Sequence, residues 1–224
     1  MLGCAIKIFD IPGPKLIDDE RDCTTFDLVM KNNPIFVANT AKHYLVLQEV
    51  GHDTPKYLAR GRTGFHDLLR DLLTGKGTFE PPDWAWEEMF AFLKAAQLPI
   101  RNPLLSRYWT MAAVRHGDYV AKLRVAPAAD ADARAIHHDL DLSQGPDVFG
   151  SALIDELKTA AFDFDLQVQL CTDLEAMPVN VAAVEWPESL SPFVTVARVH
   201  FPSRTSPGPS TWSAATRWRS TSGA

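Results

Sequence analysis

The 224 residues are 46% hydrophobic and 22% charged, with a formal net charge of −6. That composition belongs to a soluble globular chain, long enough to bury a sizeable core in one large domain or two small ones. The acidic balance and the lack of a basic stripe exclude a nucleic-acid-binding body, and no apolar run approaches the roughly 18 residues of a membrane span.

The first residues, "MLGCAIKIFD", have neither a charged n-region nor a long apolar h-region, so they do not read as a signal peptide. "CAIKIF" alternates and ends at a turn, which predicts a strand over 3–9. "DIPGPKLIDDERD" follows as a loop, and its acidic cluster lacks the spacing of a calcium loop. A second strand is predicted over 24–29 and a short third over 34–37. Thr40 can cap a helix that carries Tyr44, Leu45 and Leu47, a longer helix is predicted over 55–73, and Asp83 can cap a third over 84–96. Glu87 and Glu88 in that helix's first turn suit its macrodipole.

After Pro99 the texture changes to strands. Residues 106–127 read as a hairpin turning at His116-Gly117-Asp118, and 128–147 as a polar loop. A helix is predicted over 149–161. "FDFDLQVQLCT" then alternates strictly, with Phe162, Phe164, Leu166, Val168 and Leu170 on one face, and "PFVTVARVHF" reads as a last strand. Residues 202–224 are rich in Ser, Thr, Pro and Arg, without an apolar period, and are expected to be a disordered tail, a foreign end such as a frameshift leaves. The whole reads as an α+β domain over 1–201, mostly antiparallel, with a helical insertion near 40–98.

Three widely spaced cysteines, Cys4, Cys23 and Cys171, make neither a disulfide framework nor a zinc site, which points to a reducing cytoplasm. His43, His52, His66 and His116 lack metal-ligand spacing and read as surface or capping residues; adjacent His137-His138-Asp139 seldom converge on one ion. No metal site is expected, and no nucleophile elbow, P-loop or dinucleotide fingerprint is present. The informative stretch is "TTFDLVMKNNPIFVANTAKHY", Thr24 to Tyr44. Asn32 and Asn33 before Pro34 suit a turn, or an amide offered to an oxygen ligand. Phe36 and Tyr44, eight residues apart, suit a core, or a stack on a planar ring.

Together with "GCAIKIFDIPGPKL", that stretch resembles the haem catalase superfamily, in which a strand of form G-F-A-V-K-F-Y leads to D-L-V-G-N-N-T-P-x-F-F. It is most similar to the catalase-related branch, where V-M-K-N-H-P-V-F-F is common. "NPLLSRYWTMAAVRHGDYVAKLRVAP" resembles that branch's N-P-L-x-x-x-Y-W-S-x-x-P-Y-R-x-G-D, and "FDFDLQVQLCTDLEAMPVNVAAVEWPESLSPFVTVARV" its F-D-x-x-V-Q-x-Q-T-D…V-E-W-P-E…P-F segment. The similarity runs from Gly3 to Phe201. It implies a partial antiparallel catalase-like β-barrel with flanking helices, haem b as cofactor, and hydrogen peroxide or an organic hydroperoxide as substrate.

Carried over by position, Asn32 matches the distal-side asparagine that hydrogen-bonds peroxide, with Lys31 or Asn33 the match if the register shifts by one. Phe36 and Tyr44 match the rings packed on the porphyrin. The family's distal histidine precedes the first matching strand and its proximal tyrosine follows the last, and neither has a counterpart in these residues. The resemblance therefore implies a chain truncated at both ends, with impaired peroxide chemistry, and leaves open whether it is an enzyme. The alternative is a degenerate catalase-fold fragment acting as a non-catalytic binding or interaction module, whose exposed strand edges invite self-association.

Overall fold

The strict alternation of 162–170 becomes an interior strand of a sheet. The computed structural model describes residues 2–96, 102–129, 140–145 and 147–203. Its strands are β1 (Gly3–Ile8), β2 (Phe26–Lys31), β3 (Tyr108–Trp109), β4 (Val114–His116), β5 (Tyr119–Pro127), β6 (Phe162–Leu170) and β7 (Val194–Phe201). Every pairing is antiparallel, in the order β1-β2-β3-β5-β6-β7, with β4 folded back on β5. Helices α1 (Ala41–Leu58), α2 (Gly61–Thr74) and α3 (Trp86–Ala96) form one insertion between β2 and β3, and α4 (Val148–Thr159) precedes β6. The fold is α+β, as the periodicities predict, and the sheet curls into a half-barrel.

Curling lets one core serve all the longer strands. Leu28 and Met30 of β2, Leu123 and Val125 of β5, Phe162, Phe164 and Leu166 of β6, and Val199 of β7 meet in one buried cluster. Ile6 and Ile8 pack against it from β1, and Leu157 of α4 lies within it. The Phe162 and Phe164 rings lie 5.0 Å apart, centroid to centroid. A second, smaller core of Val50, Leu68 and Leu72 holds α1 to α2.

The opposite face of β5 and β6 is polar yet covered. Lys122 and Gln169, cross-strand partners, are 3% and 1% exposed. They anchor the segment between β6 and β7: Lys122 donates to the Val184 carbonyl at 2.8 Å, and Gln169 donates to the carbonyls of Trp186 and Ser191. Arg124 adds a bond to Glu188 at 2.8 Å and lies 3.9 Å from the Phe193 ring centroid. Buried donors thus fix a long irregular segment whose carbonyls would otherwise lack partners.

Several predicted boundaries need correction. Residues 34–37 form no strand: Pro34 lacks an N–H, and the Phe36 N–H goes to the Ala182 carbonyl at 3.0 Å instead of a ladder. The helix predicted over 55–73 is two helices, with Pro55 inside the last turn of α1 and a break before Gly61, whose φ of 64° suits glycine. Asp83 closes a short turn, Pro81–Asp83, and α3 starts at Trp86. The hairpin at Gly117 is present, but β3 joins it as a further strand. His137-His138-Asp139, most of the 128–147 loop, and 204–224 of the tail lie outside the described residues.

Candidate functional site

The turn after β2 is built from its amides. The Asn32 N–H bonds the Leu2 carbonyl at 3.1 Å, and its Oδ1 accepts the Leu2 N–H at 2.7 Å. Asn32 therefore closes the β1–β2 ladder with its side chain, which fixes the carboxamide's orientation. Asn33 is buried at 3% exposure and Asn32 is half-buried. The turn and the ligand-facing readings of Asn32 are compatible: Oδ1 is committed to the turn, and among the described residues no hydrogen bond engages Nδ2.

Beyond Pro34 the chain crosses to the segment between β6 and β7 and enters α1. Thr40 caps that helix, its Oγ1 accepting the His43 N–H at 3.1 Å. Capping sets the first turn of α1, and Tyr44 on that turn stacks on Phe36 at 5.5 Å between centroids, with 29° between planes. The two aromatics singled out from sequence are thus in contact. Rings stacked at that separation leave no slot between them, so they present one composite apolar wall. The Lys31 ammonium lies 5.8 Å from the Phe36 centroid.

A polar cluster between the start of α1 and α3 was not legible in the sequence. Glu88, 6% exposed, accepts the Asn39 N–H at 3.1 Å and the His43 Nδ1 at 2.8 Å through one oxygen. Asn39 also donates to Glu87 at 2.6 Å and accepts the Ala183 N–H at 3.2 Å. Burial alone would raise the Glu88 carboxyl, but its bonds from His43 and Asn39 prevail and hold it below the usual range. The His43 ring packs 4.7 Å from Phe79, whose own ring fills the space beside Gly75, where a Cβ would lie 2.7 Å from a ring carbon. His43 is therefore neither a surface nor a capping side chain but a clamp between α1 and α3. Sequence shows Glu88 only as an acid in a helix's first turn; its partners are 45 and 49 residues away.

These residues bring together two aromatic rings, a cation and an amide. Phe36 and Tyr44 offer an apolar surface, Lys31 a neighbouring cation, and Asn32 an oriented amide. The nearby imidazole and phenol are engaged elsewhere, His43 with Glu88 and the Tyr44 ring with Phe36. The described residues also hold no group of three or more His, Cys, Asp or Glu placed for a metal ion. No described helix is long and apolar enough to cross a membrane.

Neither a protein-family model nor a curated protein sequence matches the chain. Solved structures similar to it include catalase A from Saccharomyces cerevisiae, at 11% identity and a TM-score of 0.49 over 82% of this chain and 38% of that one. A fungal catalase is similar at 13% identity and a TM-score of 0.46, over 80% of this chain and 36% of its own length. The chain thus spans less than two-fifths of either catalase.

Proposed function

We propose that this chain is a catalase-related haem-fold protein in which Asn32, Phe36 and Tyr44 form one wall of a haem b pocket. The observation that supports the reading is the Phe36–Tyr44 stack, which brings together the two aromatics that the motif resemblance assigns to the ring face. When bound, haem supplies the redox-active iron on which peroxide chemistry depends. The chain's own contribution is positional. The stacked rings hold a planar ring by dispersion and exclude water from one face. Asn32 donates from Nδ2 to a ligand oxygen.

A carboxamide orients peroxide but has no proton to exchange near neutral pH, so it cannot serve as general acid or base. The substrate class is hydrogen peroxide or an organic hydroperoxide, and the chain by itself turns it over very slowly. Oxygen evolution from hydrogen peroxide, measured on the purified chain with added hemin, tests this. The expected rate is that of hemin alone, and a rate near that of an intact catalase would overturn the proposal of an impaired site.

A further inference from the structure

The turn that carries Phe36 has no ladder of its own to fix it. Residues 32–40 lie between β2 and α1, and the Phe36 N–H bonds the Ala182 carbonyl at 3.0 Å. Three residues on, the Asn39 carboxamide accepts the Ala183 N–H at 3.2 Å and donates to Glu87 at 2.6 Å. Residues 182 and 183, in the segment between β6 and β7, therefore hold the turn that presents the Phe36 ring to Tyr44.

The next three residues are tied to other elements. The Val184 carbonyl accepts from Lys122 of β5 at 2.8 Å. The Trp186 carbonyl accepts from Gln169 of β6 at 3.2 Å, and the same Nε2 donates to the Ser191 carbonyl at 2.8 Å. Trp186 is buried, its Nε1–H bonds the Pro178 carbonyl at 3.2 Å, and the Lys122 ammonium lies 5.0 Å from its ring centroid. Glu185 between them pairs with Lys94 of α3 at 3.1 Å, an exposed contact that contributes little. Five consecutive residues thus bridge the polar face of the sheet to the turn at Phe36.

We propose that Gln169 and Lys122 are positioning residues for the Phe36–Tyr44 wall, acting through residues 182–186. Both are cross-strand partners on one face of the sheet, and both are buried where water cannot replace them as donors. Removing the Gln169 carboxamide strands two carbonyls, on Trp186 and Ser191, and frees the segment that Phe36 and Asn39 lean on. The route is a continuous run of hydrogen bonds and one buried ring, and measured coupling between its ends is what establishes it. That the positioned wall receives a planar ring rests on the haem-pocket reading; the positioning itself does not.

Amide-resolved hydrogen exchange by NMR on the full chain, without hemin, tests the proposal. The Gln169→Met variant keeps the side chain's bulk and removes both donors. The Phe36 and Ala183 amides are expected to exchange at least about tenfold faster in it, beyond any change in β2, and the Phe36–Tyr44 inter-ring NOEs to weaken. Acceleration at Phe36 and Ala183 no greater than in β2, or unchanged inter-ring NOEs, overturns it. If that variant fails to fold, exchange of the wild type in sub-denaturing urea decides. A common opening free energy for the Phe36, Ala183 and Ser191 amides supports the proposal, and a different one for Phe36 overturns it. Because hemin is absent, a negative result leaves the haem-pocket reading standing, and a failed hemin titration leaves the positioning standing.

Discussion

Replacing Glu88 by alanine removes the one acceptor shared by the Asn39 N–H and His43 Nδ1. Its side chain is 7% exposed, so water cannot readily substitute, and each stranded donor costs about 1–3 kcal/mol. The His43 bond is charge-assisted through the carboxylate, which places the total near 3 kcal/mol. Urea unfolding at pH 7 should show that loss with an unchanged denaturant slope. A cost below about 0.5 kcal/mol would refute the claim that this cluster clamps α1 to α3.

The same residue gives a pH signature. Glu88 is held below its ordinary range, burial opposing ionisation and the bonds from His43 and Asn39 outweighing it. Its contribution is complete above the unfolded-state pKa of about 4.3 and is lost as pH falls through the lower folded value. The stability difference between wild type and Glu88→Gln should therefore be flat from pH 7 to about 5 and shrink below about 4. A difference that grows on acidification would show that the carboxylate is not favoured in the fold.

Phe162→Ala empties a 2%-exposed core position and should cost about 3–5 kcal/mol by urea unfolding. Thr40→Ala removes the α1 cap and should cost about 1 kcal/mol, with lower helicity by circular dichroism. Burial pushes the Lys122 ammonium down to about 8, against a partial rise from Glu185. With the folded value below the unfolded one, the native state sheds its proton first, so stability relative to Lys122→Met should rise between about pH 8 and 10.4. Parallel pH–stability curves for the two proteins would contradict that reading.

How far the sequence could be read depended on the range of the interactions. β6 was legible because alternation is local and its faces differ sharply: Phe162, Phe164 and Leu166 are buried beside half-exposed Asp163, Asp165 and Gln167. The N-cap at Thr40 was legible for the same reason. Pro55 misled, since proline favours a helix start, yet here it sits in the last turn of α1, where its missing N–H leaves out one intrahelical bond just before the helix ends. Residues 34–37 misled because an apolar run looks like a strand until its backbone partners, Ala182 among them, are known. Phe36 and Tyr44 could be paired as candidates eight residues apart, whereas the clamp of Asn39, His43 and Glu88 needs contacts from distant elements. Buried Lys122 and Gln169 were hidden likewise, as polar residues whose partners lie on the segment crossing over them.

Absorption spectra of the purified chain titrated with hemin test the central claim most directly. The account predicts a saturable, sharpened Soret band that is lost in the Asn32→Ala/Phe36→Ala double variant while far-UV circular dichroism is unchanged. A broad band like that of free hemin, the same in wild type and variant, would contradict it and leave the Phe36–Tyr44 stack as a packing contact alone.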